Sequence, residues 1–269
     1  MKRKRMLMIF LAIFAIAAMF GILPGCTKTP AEPADREEES TPKFVAHRGF
    51  SHSYVDNTEE SFKAAAQKEF YGIETDIRKT KDGYYVCNHD AKVKYADGSE
   101  KRISTTTLDT LLSKPLQNDK TDSDAYLCTF EKYLQVCKSG NKVAVIEMKD
   151  WFLKSDIQEI LSIIDAEYDR KKVIFISFLF NPLLLVKEAD PSIELQYLSQ
   201  TENDKTFDTC LQKKISIDVK QTILTEELVK QFHDAGLKVN VWTVDKDSEL
   251  QVAIAAGVDY VTSNLLYEY

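Results

Sequence analysis

The chain is short of the residues that mark several common binding sites. Only nine of its 269 residues are glycine, and the segment after the first strand-like run reads Gly49-Phe50-Ser51-His52. That segment has no Gly-x-Gly-x-x-Gly turn to cradle a dinucleotide phosphate. The five cysteines show no Cys-x-x-Cys and no His-linked spacing, which argues against a zinc site. Cys87, Cys128, Cys137 and Cys210 read as small buried apolar side chains, able to pair outside the cell, and none reads as a nucleophile. Past residue 25 there is no positive excess: 31 Lys and Arg face 42 Asp and Glu, a net charge of −11. Such a net charge argues against a nucleic-acid backbone as the main partner and against docking on anionic lipid through a basic face.

The excess of positive charge lies at the other end of the chain. Met1-Lys2-Arg3-Lys4-Arg5 precedes a mostly apolar run over 6–23, and Leu23-Pro24-Gly25-Cys26 follows. A basic end, an apolar run and a small residue form a secretory signal over 1–25. A cysteine after that small residue resembles a bacterial lipobox, in which Cys26 carries the lipid; Pro24 is unusual there. An uncleaved anchor is the competing reading, since eighteen such residues can just span a bilayer. Both readings tether the chain to the extracytoplasmic face of the cell membrane, because the basic end stays inside. Residues 26–42 then form a disordered tether, because 27–42 holds three prolines and five acidic residues and no large apolar side chain. Its reach is roughly 20–25 Å.

From residue 43 to 269 the pattern is that of one folded domain, in which apolar strand-like runs alternate with amphipathic helical stretches. The runs fall at 44–47, 71–77, 143–149, 173–178, 193–198, 215–219, 238–244 and 260–262. Helical patterns fall at 58–70, 129–138, 154–168, 182–188, 225–235 and 247–256. Thr225 before Glu226 and Glu227 supplies an N-cap and acids in the first turn. Eight such units predict an α/β fold, a closed (β/α)₈ TIM barrel; the doubly wound open sheet is the rival and would bring the missing glycine loop. One insertion follows the second strand. There a short strand at 84–88 presents His89, and a polar stretch over 91–124, with a short helix near 108–112, forms an excursion over the barrel mouth.

The strand ends carry the chemistry. Gly72-Ile73-Glu74-Thr75-Asp76-Ile77 and Ile146-Glu147-Met148-Lys149 each set two charges two residues apart. Side chains alternate along a strand, so each pair faces one way. Burying them is costly unless they have a partner. In a TIM barrel the C-terminal ends of strands build the active site. Glu74, Asp76 and Glu147 are therefore candidates to hold one divalent cation, and all-oxygen ligation suits Ca²⁺ or Mg²⁺ better than zinc. The competing reading pairs these acids with Arg48, Arg78 and Lys149. Three carboxylates, a divalent cation, a phosphodiester, Arg48 and Lys149 sum to zero charge, which points to phosphate cleavage. His47 and His89 are candidates for the general base and general acid, since imidazole titrates near neutrality. Trp242 at the seventh strand's end could cover a bound glycerol moiety or pack under a loop. His52 has only nearness to the mouth, and His233 reads as a solvated helix-face residue.

Several segments together resemble the glycerophosphodiester phosphodiesterase family. They are Ala46-His47-Arg48-Gly49, Asp56-Asn57-Thr58, Gly72-Ile73-Glu74-Thr75-Asp76, Thr80-Lys81-Asp82-Gly83, His89-Asp90, Ile146-Glu147-Met148-Lys149, Ser177-Phe178 and Val241-Trp242-Thr243-Val244. The resemblance covers 43–269 and implies a TIM barrel with a small insertion after the second strand. It implies hydrolysis of a glycerophosphodiester to an alcohol and sn-glycerol 3-phosphate with calcium or magnesium. By the same resemblance, Glu74, Asp76 and Glu147 would be the metal ligands and His47 and His89 the acid–base pair. Arg48 would clamp the phosphate, with Lys149 as a second contact. Asp56 replaces the family's usual Glu, Ser263-Asn264 its Thr-Asp, and Asp245 its Asn. Two other readings share the barrel: a phospholipase D-like activity on lysophospholipids, and a non-catalytic surface-tethered binding protein.

Overall fold

In the computed structural model, residues 41–267 are described. The expected signal segment 1–25, Cys26 and nearly all of the tether lie outside the described residues. Among the described residues, no helix is long and apolar enough to cross a membrane.

The chain forms β1 (Lys43–Ala46), β2 (Gly72–Lys79), β3 (Tyr85–Cys87), β4 (Lys92–Lys94), β5 (Glu100–Arg102) and β6 (Cys128–Thr129). It continues with β7 (Val143–Met148), β8 (Val173–Ser177), β9 (Glu194–Ser199), β10 (Ser216–Lys220), β11 (Val239–Trp242) and β12 (Tyr260–Ser263). Eight of these are parallel and run in the order β1-β12-β11-β10-β9-β8-β7-β2. Pairing of β1 with β2, Val45 opposite Gly72, closes the ring, and the expected (β/α)₈ barrel is the fold. All eight expected runs lie within two residues of the observed strands.

Alternation along the strands builds two cores. Outward residues such as Ile73, Ile146, Phe175, Ile217, Val241 and Val261 pack beneath the helices. Inward residues Val45, Val145, Ile174, Ile176, Leu198 and Tyr260 fill the lumen. Full burial of each large aliphatic side chain contributes roughly 1.5–3 kcal/mol. The helices are held at their entries by Thr58, Thr129, Asn203 and Thr225, each accepting a hydrogen bond from a backbone N–H three residues on.

Four details depart from the expectation. β2 does not end at Ile77 but runs on to Lys79, because Ile77–Lys79 pair antiparallel with Tyr85–Cys87. Asp76 thus sits one residue before the last parallel pair with β7 and Glu74 midway along that pairing, neither at the strand's last residue. The expected helix at 58–70 also stops early, at Ala66. The insertion is better built than a polar excursion. β4 and β5 form a hairpin, and Val86, Val93, Tyr95, Ile103, Leu111, Leu116 and Leu127 make a separate small core beneath it. A helix over Asp204–Lys213 also completes the ring of helices between β9 and β10.

Candidate active site

The loop after β1 is bent by two residues with left-handed backbone. Arg48 has φ 56° and Gly49 φ 81°. A Cβ at Gly49 would lie 2.5 Å from Ser61 Oγ and 2.6 Å from its main-chain carbon, so the loop can lie against the helix Glu59–Ala66 only with glycine there. This bend aims the Arg48 N–H at Glu74, whose Oε2 accepts it at 2.8 Å.

The three carboxylates meet. Glu74 and Asp76 from β2 and Glu147 from β7 are buried, and each offers an oxygen within 4.8 Å of the others. Asp76 Oδ2 accepts from Asn57 Nδ2 at 2.8 Å and lies 3.4 Å from Arg48 Nε. Asp76 Oδ1 is buried with no hydrogen bond, its one neighbouring cation being Lys149 Nζ at 3.5 Å. Lys149 lies 2.8 Å from Glu147 Oε1. Arg78, one of the bases in the competing pairing, turns away to Asp150 at 2.6 Å. Two bases therefore serve three buried acids.

The strain of that arrangement shows in the acidities. Burial, then Asp76, pushes Glu74 well above the carboxylate range. Burial, then Asp76, raises Glu147 to about 7. Burial also acts to raise Asp76, but Arg48, Lys149, His89 and the Asn57 amide hold it below its ordinary value. One acid stays ionised while its neighbours are driven toward protonation, as like charges sharing a site require. An all-oxygen set with an unpartnered oxygen and too little positive charge fits a hard divalent cation.

His47 lies just past β1. Its Nδ1 is 2.8 Å from Asn264 Oδ1. The Asn264 amide is fixed from behind, because its Nδ2 donates to Asp245 Oδ2 at 2.6 Å and its main-chain N–H donates to Asp245 Oδ1 at 2.9 Å. With the amide oxygen facing the ring, Nδ1 carries the proton and Nε2 is left as an acceptor. Burial, and then Arg48, lower His47 to about 4. His89 stands across the site at the start of the insertion, its Nδ1 3.0 Å from Asp90 Oδ1. Burial is the main cause lowering its pKa as well, opposed by Asp76 and Asp90.

A cavity of about 320 Å³ is lined by His47, Arg48, Glu74, His89, Glu147 and Lys149 on its charged side. Ile176, Phe178, Leu198 and Trp242 make the other wall. Trp242 stands edge-on to Phe178, ring centres 5.8 Å apart, so it takes part in that wall and is not packed away under a loop. His52 lines a second hollow beside the mouth, with Ser51, Lys120 and Asp245. His233 is exposed on its helix and contacts Asp259 at 2.9 Å.

The sequence model of the Glycerophosphoryl diester phosphodiesterase family matches residues 47–265. The chain belongs to this family, whose members are phosphoric diester hydrolases. Among similar proteins, a glycerophosphodiester phosphodiesterase of Caldanaerobacter subterraneus subsp. tengcongensis is 28% identical over 82% of this chain and 93% of its own. One from Bacillus altitudinis is 24% identical over 81% and 92%. In fold, the chain is similar to an Oleispira antarctica phosphodiesterase solved with the product sn-glycerol-3-phosphate, with TM-score 0.75, 21% identity and 83% and 93% coverage. It is also similar to a Parabacteroides distasonis glycerophosphodiester phosphodiesterase, with TM-score 0.73, 25% identity and 84% and 93% coverage.

Each departure from the family pattern has a place in this site. Asp56 accepts from Arg48 Nη1 at 3.2 Å, so the shorter side chain still holds the guanidinium. Asn264 and Asp245 are the pair behind His47. Asn57 was visible only as part of a motif, yet it ties the site together: its Oδ1 accepts from Thr75 and from the Asp76 N–H, and its Nδ2 holds Asp76 Oδ2. Nothing in its spacing signals this, because the contact crosses from a loop to a strand.

Proposed function

We propose that this chain hydrolyses glycerophosphodiesters to an alcohol and sn-glycerol 3-phosphate, using one divalent cation, calcium or magnesium. The observation that carries this reading is the convergence of Glu74, Asp76 and Glu147, with Glu74, Glu147 and both imidazoles lining one cavity. Those three acids would hold the cation. The chemistry such an ion would supply is polarisation of a phosphoryl oxygen and a lowered pKa for the attacking water or substrate hydroxyl.

The chain's own groups do the rest. Arg48 and Lys149 flank the acids and bind the non-bridging phosphate oxygens, holding the diester in line. Neutral His47 presents Nε2 as the general base, since Asn264 fixes the proton on Nδ1. His89, half-exposed and paired with Asp90, carries a proton to the leaving alcohol oxygen. Trp242 and Phe178 cover the carbon skeleton of the substrate and exclude water from one side. Proton transfer through two placed imidazoles is worth about 10²–10⁴-fold each.

The domain acts at the outer face of the cell membrane in this reading, tethered through lipid on Cys26. Support here is the N-terminal sequence alone. The wild-type chain should incorporate a labelled fatty acid and Cys26→Ser should not; a membrane-retained wild type that incorporates none would argue for an uncleaved anchor.

Purified full-length chain should release glycerol 3-phosphate from glycerophosphocholine, and chelator should stop it. Absence of turnover on any glycerophosphodiester at saturating calcium or magnesium refutes the reading. Product analysis on a lysophospholipid separates it from a phospholipase D-like activity, which would act on that lipid in preference.

A further inference from the structure

One acidic side chain in the cavity has a buried oxygen with no hydrogen-bond partner among the described residues. Asp218 lies on β10, where Ile217 and Val219 turn outward to the helices and Asp218 turns into the lumen. The residue is 1% exposed, and its Oδ1 makes no hydrogen bond. Nearby donors are already used. Asn240 Nδ2 is shared between Gln196 Oε1 at 3.3 Å and Thr262 Oγ1 at 3.1 Å. Lys149 is held by Glu147. The Trp242 indole N–H reaches the main-chain oxygen of Asp218 at 3.3 Å, not its carboxyl.

A buried carboxyl left without a partner is destabilising, because the water it has lost is not replaced. On the wall of a substrate cavity, that cost is offset when the ligand brings the partner. The neighbouring wall is Ile176, Leu198 and Trp242, which offers no charge. Burial, then Glu147, pushes the Asp218 acidity well above the carboxylate range, so its natural partner is a neutral group that can both donate and accept. Across the cavity, Arg48 and Lys149 face the place of the phosphate. The group that reaches Asp218 is therefore attached to that phosphate by a short carbon chain laid against Trp242.

We infer that Asp218 binds a hydroxyl of the substrate's glyceryl group and sets the preference for glyceryl diesters over diesters without that hydroxyl. This rests on the activity argued above and names the residue that reads the substrate's polyol end. A site built to hydrogen-bond a hydroxyl discriminates strongly against analogues that lack it, because its own polar group is then left unpaired.

The test compares the full-length wild type with Asp218→Asn and Asp218→Leu. Substrates are glycerophosphocholine and bis(4-nitrophenyl) phosphate, which has no hydroxyl. In Asp218→Leu the ratio of kcat/KM between the two should fall by at least about tenfold, mainly through KM for the glyceryl substrate. Asp218→Asn, which still donates and accepts, should keep the ratio within about threefold. A second readout needs no turnover: the extra thermal stabilisation by glycerol 3-phosphate over inorganic phosphate should shrink in Asp218→Leu. Stabilisation by calcium alone should be the same in all three, which separates this role from cation binding. Equal losses on both substrates, or an unchanged ratio and an unchanged glycerol 3-phosphate increment, overturn the inference while leaving the hydrolase reading intact. A wild type that turns over neither diester defeats that reading and this inference together.

Discussion

At the N-terminal end of the barrel, Lys238 Nζ meets Glu194 at 2.7 Å and the Tyr260 hydroxyl at 2.6 Å, and Tyr260 donates to Glu194 at 3.1 Å. Lys43 lies over the Tyr71 ring at 4.7 Å. Each charge there finds its complement within the chain. The C-terminal rim is built the opposite way. Arg48 Nε, Asp76 Oδ1 and Asp218 Oδ1 are buried without hydrogen bonds, and they make up three of the four such side-chain atoms among the described residues. One end closes the barrel and satisfies itself; the other keeps its polar groups in reserve for a cation and a substrate. The same strands carry both ends, so the difference lies in which residues occupy the alternate inward positions.

Substitutions that break the comparison most sharply fall on the acids. Glu74→Gln or Glu147→Gln should lower kcat/KM by about 10³-fold or more and abolish calcium-dependent thermal stabilisation. His47→Ala and His89→Ala should each cost about 10²–10⁴-fold in kcat while that stabilisation persists. If neither matters, the rim binds without catalysing. Groups that act through these should cost less. Asn57→Ala, which frees Asp76 from its amide, should cost roughly 10–100-fold in activity or cation affinity.

A pH series sharpens the same contrast. In chelator, Glu147 titrates at about 7 in the folded chain and Glu74 well above the carboxylate range, against an ordinary 4.5 when unfolded. Between pH 4 and 6.5 the lowered His47 works the other way, since the unfolded chain then holds its proton. Above pH 6.5 the opposing contribution of His47 and His89 fades and the raised acids Glu74, Glu147 and Asp218 dominate: the folded chain keeps protons that the unfolded chain has lost. Stability should therefore fall as pH rises from 6.5 to 8, at up to about 1.4 kcal/mol per pH unit for each retained proton. Added calcium should flatten the slope by displacing those protons. A melting temperature that rises over this window without metal contradicts the charge arrangement. The smallest effect belongs to the self-satisfied end: Lys238→Met should leave kcat/KM within about twofold and cost no more than about 1 kcal/mol of stability by denaturant titration.

Much of this was legible in the sequence because strand alternation is a strong signal. Glu74 with Asp76 and Glu147 with Lys149 announce a shared face by their step of two, and eight apolar runs leave few folds to consider. What stayed hidden lies between segments. Asn264 and Asp245 meet behind His47 from the ends of two strands, and no local spacing marks that pair. Asp218 lies within the apolar run 215–219, and only its parity in β10 turns it into the lumen. The β4–β5 hairpin was missed because its surface is charged while its apolar residues are widely spaced over a core of their own. The helix Asp204–Lys213 has only Phe207 and Cys210 fully buried, too few to stand out as a periodic face.

In the proposed mechanism the acids of β2 and β7 share one divalent ion. Calorimetric titration of calcium or magnesium into chelator-treated full-length chain should give one ion per chain, lost in Glu147→Gln together with hydrolysis. Hydrolysis that continues in chelator, or binding that Glu147→Gln leaves unchanged, would contradict the account.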